Sequence, residues 1–282
     1  MGRKRRGRNR GICQLTGDEG DFVDSHLLPK ALTKAGGLQN GLIQAGRGRR
    51  PERRHSSWYD NSLVTSKGEK ILADLDDWAI RELRCHQLVW SGWGPMHQLK
   101  VQSIVPNSPF GIRILKGADW KRLRLFFLSL LWRAAATRRY EFDEISLEAS
   151  DREMLRDMIV AGNAEPIEYF GLQLIQLSTM GVEHNLTPIA DIKSIGSDLG
   201  DPYEVPFFRF YFDGLIAHFD RRPTAEIRQR NMGDLFVGNS DRLVVSTITY
   251  EESFQLKNLT ALMLSVVNSA PIAENADDRL KK

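Results

Sequence analysis

The chain contains little cysteine and no long apolar run. Cys13 and Cys85 are its only cysteines, too few for a disulfide framework or for a zinc site built from four cysteines, so both thiols are expected to be reduced. The longest apolar stretch, residues 125–132, is well short of the roughly 20 residues that cross a membrane. Because the first residues are basic and form no apolar leader, we expect a cytoplasmic protein without a membrane partner.

The sequence also lacks several motifs that indicate a specific chemistry. It contains no phosphate-binding loop, dinucleotide fingerprint, zinc-protease motif, Gly-x-Ser-x-Gly turn or internal repeat. His184 and His218 have no companion at a metal-ligand spacing. What remains is a chain of 282 residues with 41% hydrophobic content, enough for one large domain or two of ordinary size.

Positive charge is concentrated in the first 60 residues. This segment carries thirteen Lys and Arg against six Asp and Glu, whereas the remaining 222 residues carry 26 basic and 30 acidic side chains. Residues 1–10 hold six of the cations and nothing that would join a core, so a disordered arm is expected. Such an arm is either a set of phosphate contacts or a solubilising tail. The basic end is the candidate nucleic-acid surface.

The next segment predicts a short β-hairpin that carries a histidine. Residues 12–17 have the pattern of a strand and a tight turn, and residues 20–28 that of a turn and a second strand. Pro29 ends the ladder, and residues 30–33 are expected to form a single helical turn. His26 therefore lies near the end of a strand.

Three motifs are spaced along this region: Cys-x-Leu-Thr-Gly at 13–17, Ser-His-Leu-Leu-Pro-Lys at 25–30 and Leu-Val-x-x-x-Gly-Glu at 63–69. Together they resemble the bacterial HNH endonuclease-like proteins over about residues 11–90. Residues 126–133 also resemble a segment that follows the nuclease module in that group. The resemblance implies an α+β fold, with an N-terminal HNH-like ββα-metal module followed by an α+β accessory domain.

The resemblance also implies roles for single residues. His26 falls on the general base that takes a proton from the attacking water, a task that suits imidazole because its pKa lies near working pH. Of the four zinc-knuckle positions only Cys13 is kept. Thr16, Thr65 and Gly68 stand at the others, so no structural zinc is expected and apolar contacts must hold the module together.

The ligands of the catalytic metal are inferred in the same way. Ser25 stands where the family commonly has a metal-binding aspartate, which makes Asp24 the alternative ligand. The central asparagine position falls on Asp60 or Asn61, and the spacing favours Asp60. Glu69 falls on the final histidine position, although a carboxylate in the first turn of a helix also suits the helix dipole. These oxygen ligands would suit Mg²⁺ or Mn²⁺.

The segment between the two halves of the proposed site, residues 35–57, is rich in glycine and arginine. Glycine lets the backbone approach a partner and arginine forks onto phosphate oxygens, so this segment, the Arg/Gly loop, is a candidate clamp for a duplex. The alternative is a mobile, solvated insertion. The candidate nucleic-acid contacts are Lys30, Arg47, Arg49, Arg50, Arg53 and Arg54.

The rest of the chain predicts further helices and strands. Residues 69–84 form an amphipathic helix on which Asp76 is either a second site carboxylate or a plain surface residue. Asp119 is expected to cap a core helix over 120–137, and the arginines at its end complement the helix dipole. Those arginines are Arg133, Arg138 and Arg139. Further helices are predicted over 147–161 and 255–267. Strands are predicted over 98–104, 168–178, 207–219 and 242–250, and Gly214 permits a turn within the third of these.

These elements predict a domain layout. It consists of a basic arm (1–10), the HNH-like module (11–90), a connector (91–110), an accessory domain (111–270) and a disordered tail (271–282). Two tryptophans, Trp90 at the edge of the connector and Trp93 within it, either cover a seam between domains or stack on bases.

The sequence thus predicts a metal-dependent HNH-like endonuclease that acts on DNA, with RNA as the alternative polymer. A bacterial or phage context and a role in anti-phage defence follow by analogy with the family. The rival hypothesis is a catalytically inactive HNH-like domain that binds nucleic acid or a partner protein. The C-terminal half is open between docking a protein partner, sensing an invader and forming a homodimer.

Overall fold

The computed structural model describes residues 9–33, 42–45, 52–54, 57–103, 108–197, 200–230 and 232–269. The predicted tail and residues 1–8 of the predicted arm lie outside these residues, as do Arg47, Arg49 and Arg50 of the Arg/Gly loop. Arg10, the last residue of the predicted arm, belongs to the first strand, where its guanidinium pairs with Glu19 at 3.1 Å.

The fold class is α+β, which confirms the prediction. Within the described residues the helices are α1 (Ser66–Cys85), α2 (Trp120–Ala136), α3 (Ala149–Ala161), α4 (Thr224–Arg230) and α5 (Phe254–Ser269). The strands there are β1 (Arg10–Ile12), β2 (Glu19–Asp21), β3 (Ser25–His26), β4 (Leu42–Ala45), β5 (Glu52–Arg54), β6 (Tyr59–Asp60), β7 (Gln102–Ser103), β8 (Phe110–Lys116), β9 (Leu172–Leu177), β10 (Asn185–Leu186), β11 (Ile189–Ser197), β12 (Gly200–Phe212), β13 (Leu215–Asp220) and β14 (Arg242–Ile248).

The largest sheet of the described residues has seven strands in the order β11-β12-β13-β9-β14-β8-β7. Neighbouring strands are antiparallel except β14 and β9, which run parallel. β12 and β13 join through Asp213 and Gly214, whose φ angles of 51° and 78° are those that a two-residue hairpin loop requires. The sequence prediction of a strand that turns at Gly214 is confirmed.

Helix α2 lies at the centre of the hydrophobic core. Of its 17 residues 13 are buried, so it is covered on nearly every side, unlike a surface helix with one apolar stripe. It contacts α1 and α3, and Phe127 stacks on Phe212 of the sheet with 6.1 Å between ring centroids. Asp119 caps the helix as predicted, since its carboxylate accepts a hydrogen bond from the Arg122 backbone N–H at 2.9 Å.

The N-terminal part of the chain contains a ββα arrangement. β1 and β2 form a hairpin, as predicted, but it is shorter than predicted: its second strand ends at Asp21, and His26 lies on the separate strand β3. β3 pairs with β6 in antiparallel register, so that Ser25 lies opposite Asp60 and His26 opposite Tyr59. Helix α1 follows β6 in the chain and confirms the helix predicted over 69–84. One hydrophobic cluster contains buried residues of α1, α2 and the large sheet, so the core is continuous across the predicted connector.

The structure also tests the shorter elements predicted around Pro29 and in the connector. The predicted turn after Pro29 is a 3-10 helix, Lys30–Leu32. Trp90 and Trp93 are buried in a second hydrophobic cluster, as expected of rings that cover a seam rather than stack on bases. The strand predicted over 98–104 is shorter, since β7 is the only strand among the described residues of that range, 98–103. No helix in the described part of the chain is both long and apolar enough to span a membrane.

Candidate functional site

The four positions that the resemblance assigns to a zinc knuckle lie together in the fold. Burial by itself raises the pKa of the Cys13 thiol, but hydrogen bonds with Thr16 and Thr65 favour the thiolate and the pKa is lowered overall. A side chain at Gly68 would meet Cys13 Sγ at 2.7 Å. Residues more than 50 positions apart in sequence thus form one compact cluster, in which a single thiol is accompanied by two hydroxyls and a glycine.

A second group of residues, the β3–α1 cluster, consists of Ser25 and Glu69, which lie side by side, and His26, the chain neighbour of Ser25. β3 carries Ser25 and His26, and the first turn of α1 carries Glu69. Ser25 is fully buried, whereas His26 and Glu69 are half-buried. Burial raises the pKa of Glu69, and the nearby Ser25 hydroxyl and Arg133 guanidinium offset this only in part, so the pKa is raised overall.

The Ser25 hydroxyl lies beside the Glu69 carboxylate and stabilises its charged form. Apart from this contact, Ser25 Oγ and Glu69 Oε2 have no hydrogen-bond partner among the described residues. Both atoms are buried. Buried polar atoms without a partner are rare in folded proteins, and each one calls for an explanation such as a water, an ion or a strained site. Two neighbouring oxygens of this kind suit a hard cation, which prefers oxygen ligands.

Asp60, the metal ligand favoured by the sequence, is engaged in hydrogen bonds. Its Oδ1 accepts from the backbone N–H and the hydroxyl of Ser62, both at 2.8 Å, and its Oδ2 accepts from the Thr137 hydroxyl at 2.6 Å. Burial would raise the pKa of Asp60, but these hydrogen bonds favour the carboxylate and the pKa is lowered overall. Asp24 and Asn61 are exposed. Of the predicted ligands, therefore, Ser25 and Glu69 are the pair whose buried oxygens have no partner other than each other among the described residues.

These observations limit the kind of metal site that the residues fit. Among the residues that the structure describes, no group of three or more His, Cys, Asp or Glu side chains has the geometry to hold a metal ion. Mg²⁺, however, is commonly bound through one or two carboxylates and completes its shell with water and phosphate oxygens. Glu69 with Ser25 fits a cation held in that way, and it does not fit a cage made by the protein alone.

Arg133 of α2 joins the site from the second half of the chain. Its side chain is 1% exposed, and its NH1 and NH2 groups donate to the two carboxylate oxygens of Asp76 at 2.9 and 2.6 Å. NH1 also donates to the backbone carbonyl of His26 at 3.0 Å. The sequence prediction of a dipole role for Arg133 misses this pairing. A usable signal exists, because a charge within an apolar helix needs a buried partner.

The surroundings of His26 favour its neutral form. Burial is the main reason that the pKa of His26 is lowered from its ordinary 6.5. The cations of Lys30 and Arg133 lower it further, and the carboxylates of Asp76 and Asp24 act in the opposite direction. His26 is therefore unprotonated near pH 7, the state that a general base requires.

The predicted nucleic-acid contacts are described only in part. Lys30 is exposed and close enough to His26 to affect its pKa. Arg53 and Arg54 belong to β5, which pairs with β4, while the other three arginines lie outside the described residues. β4 in turn pairs in parallel with β10, a contact between the Arg/Gly loop and the second half of the chain that the sequence does not predict. The clamp itself stays a prediction.

No protein-family model, no curated protein and no solved structure matches this chain. The HNH-like interpretation therefore rests on the three sequence motifs and on where their residues lie in the fold.

Proposed function

We propose that this chain is a metal-dependent HNH-like endonuclease that hydrolyses DNA phosphodiester bonds. The observation that carries the proposal is the β3-β6-α1 arrangement, in which Ser25 lies beside Glu69 of the following helix, while His26 and Glu69 both lie near Arg133 and Asp76. The order of these elements and the histidine at position 26 agree with the roles that the resemblance implies, whereas Ser25 and Glu69 differ in type from the family residues at their positions. The convergence of Cys13, Thr16, Thr65 and Gly68 adds independent support, because it follows the knuckle positions of the same family.

In this proposal His26 is the general base. Its neutral imidazole takes a proton from a water molecule, whose oxygen forms a bond to phosphorus while the bond from phosphorus to the leaving oxygen breaks. Such proton transfer contributes typically about 10²–10⁴-fold to a rate. The lowered pKa of His26 keeps the base available at neutral pH and below.

Glu69 and Ser25 are the residues proposed to hold Mg²⁺ or Mn²⁺. The bound cation would polarise a phosphoryl oxygen and stabilise the leaving oxygen. Burial of Glu69 raises its pKa, so its affinity for a cation should fall as the pH drops, because proton and cation compete for the same carboxylate. Asp60 would support β6 through its own hydrogen bonds. Asp24 and Asn61 could reach the cation only from exposed positions.

The substrate is proposed to be DNA, held by Lys30 and by the Arg/Gly loop. Simultaneous replacement of Arg49, Arg50, Arg53 and Arg54 by alanine should reduce the slope of log affinity against log salt. With fewer phosphate contacts, binding releases fewer counterions from the DNA. An unchanged slope would remove the clamp from the account. By the same resemblance we propose a cytoplasmic role in bacterial anti-phage defence.

The experiment that tests the metal site compares cleavage of supercoiled plasmid by wild type, Glu69→Gln and Asp77→Asn over a range of Mg²⁺ and Mn²⁺ concentrations. Asp77 is an exposed carboxylate on the same helix and serves as the matched control. Glu69→Gln should need at least about tenfold more metal for half-maximal cleavage, because even residues that only support a metal ligand affect affinity by about 10–100-fold. Identical metal dependence in all three proteins would contradict the assignment of Glu69.

The second candidate function is binding of nucleic acid or a partner protein without cleavage. The engaged carboxylate of Asp60 and the lack of a three-ligand group among the described residues favour it. It predicts that the wild type binds labelled DNA or RNA in a fluorescence anisotropy assay and cuts neither polymer with either metal. Offering both polymers in the same assay also separates DNA from RNA as the substrate.

A further inference from the structure

The C-terminal end of helix α2 contacts both strands of the candidate site. Arg133 donates a hydrogen bond to the backbone carbonyl of His26 on β3 at 3.0 Å. One turn further along, the Thr137 hydroxyl donates to Asp60 on β6 at 2.6 Å. Arg139 follows and donates to the Tyr59 carbonyl at 3.1 Å. The second half of the chain therefore supplies three side chains that hold the β3–β6 pair.

Arg133 is the most enclosed of these side chains. It is 1% exposed, and its two terminal nitrogens make four hydrogen bonds, to both oxygens of Asp76, to the His26 carbonyl and to the Ser129 hydroxyl. A guanidinium can serve all these acceptors because its donors form a rigid, planar fork. An ammonium group at the same place is a point donor on a flexible stem and cannot reproduce the bidentate contact.

We propose that Arg133 is a positioning residue of the nuclease site, which fixes the backbone at His26 relative to α1 by bridging the His26 carbonyl and Asp76. The inference rests on the proposed function of His26 as general base. Arg133 acts through His26 and does not contact substrate. Helix α2, which the sequence assigns to the accessory domain, is then an integral part of the site.

The geometry supports this assignment because the bridge joins the two elements that carry the site. β3 holds His26 and Ser25, while α1 holds Glu69 and, two turns on, Asp76. A strand of two residues paired with another of two residues has few ladder hydrogen bonds of its own. Contacts from a buried helix can fix such a strand, and a displacement of about 1 Å at a reacting group can reduce a rate by about 10²-fold.

The test compares Arg133→Met and Arg133→Lys with a matched control, Arg124→Met. Arg124 is also a buried arginine of α2, but it donates to backbone carbonyls of residues 164, 166, 169 and 170, away from the site. Single-turnover plasmid cleavage should fall by about 10²-fold in Arg133→Met with little change in substrate affinity. The cleavage rate of Arg133→Lys should lie between those of wild type and Arg133→Met. Arg124→Met should keep the wild-type rate per folded molecule.

A double-mutant cycle separates positioning from general stability. If Arg133 acts through His26, then Arg133→Met should produce no further loss in a protein that already carries His26→Ala. Additive losses would overturn the proposal, as would equal losses in the Arg133→Met and Arg124→Met proteins. Arg133→Lys keeps the charge beside Asp76 and provides a folded variant if Arg133→Met does not fold.

A second readout does not depend on cleavage. The Leu27 backbone N–H donates to the Trp58 carbonyl at 2.9 Å, directly beside the β3–β6 pair, and its hydrogen exchange reports on how well the strands are held. Exchange should accelerate in Arg133→Met and stay near the wild-type rate in Arg124→Met at matched global stability. If the wild type fails to cleave but this difference appears, the proposed function fails with the nuclease role of Arg133, and only its fixing of the backbone at His26 stands. Equal exchange in both variants overturns the positioning role.

Discussion

The pair formed by Arg133 and Asp76 makes a quantitative prediction for stability. Replacement of Asp76 by Asn keeps the shape of the side chain but leaves the guanidinium of Arg133 buried without its counterion. Removal of one partner of a buried ion pair costs about 3–5 kcal/mol. Asp76 is 15% exposed, and the amide oxygen of Asn can still accept one of the two hydrogen bonds. We therefore expect a loss near the lower end, about 3 kcal/mol in the free energy of unfolding.

Urea unfolding followed by tryptophan fluorescence at neutral pH measures this loss. Asp77→Asn on the same helix is the matched control, and it should lie within about 0.5 kcal/mol of wild type because Asp77 is exposed. The double variant Asp76→Leu with Arg133→Met should lose less stability than Asp76→Asn alone, since the buried guanidinium that Asp76→Asn leaves without its counterion is then absent. A loss below about 1 kcal/mol for Asp76→Asn, or a larger loss in the double variant, would refute the reasoning.

Three further predictions concern single side chains. Gly68→Ala should destabilise by about 1–3 kcal/mol, because its methyl group would meet Cys13 Sγ at 2.7 Å; Cys13→Ala should then recover part of the loss in a urea titration. Asp119→Ala should cost about 1 kcal/mol through the lost cap of α2, and an unchanged melting temperature would argue against it. Asp213→Asn should stabilise the protein above about pH 6. Burial raises the pKa of Asp213 from 3.8 to about 6. Ionisation of this carboxyl therefore disfavours the folded state as the pH rises from 3.8 to about 6, and asparagine removes that cost. The gain should shrink as the pH falls toward the ordinary pKa, and a gain independent of pH would contradict the argument.

Local patterns in the sequence were sufficient for several elements. The apolar spacing of Leu72, Leu75 and Ala79 repeats with the period of a helix, and the same residues are buried on α1. The cap at Asp119 and the turn at Gly214 are also local signals, since each depends on the chemistry of one residue next to a periodic segment. Elements of this kind are predictable because the residues that define them are neighbours in the chain.

Contacts between distant segments were not predictable in this way. The bond from Arg133 to Asp76 joins residues 57 apart, and the bond from Thr137 to Asp60 joins residues 77 apart. No periodicity indicates which partner a buried charge will find. The motif spacing did indicate which residues would approach Cys13, because a resemblance carries long-range information that composition and periodicity lack. The strand position of His26 and the helix that carries Glu69 were therefore predicted from the sequence, whereas the pairing of β3 with β6 and the contribution of α2 to the candidate site were not.

The most direct test of the central claim is nicking of supercoiled plasmid by wild type, His26→Ala and His97→Ala with Mg²⁺ or Mn²⁺, each beside an EDTA control. His97 is exposed and serves as the matched histidine. Wild type and His97→Ala should cut equally and only with metal, and His26→Ala should be slower by at least about 10²-fold. Cleavage by His26→Ala at the wild-type rate, or no cleavage by any of the three proteins, would contradict the central claim.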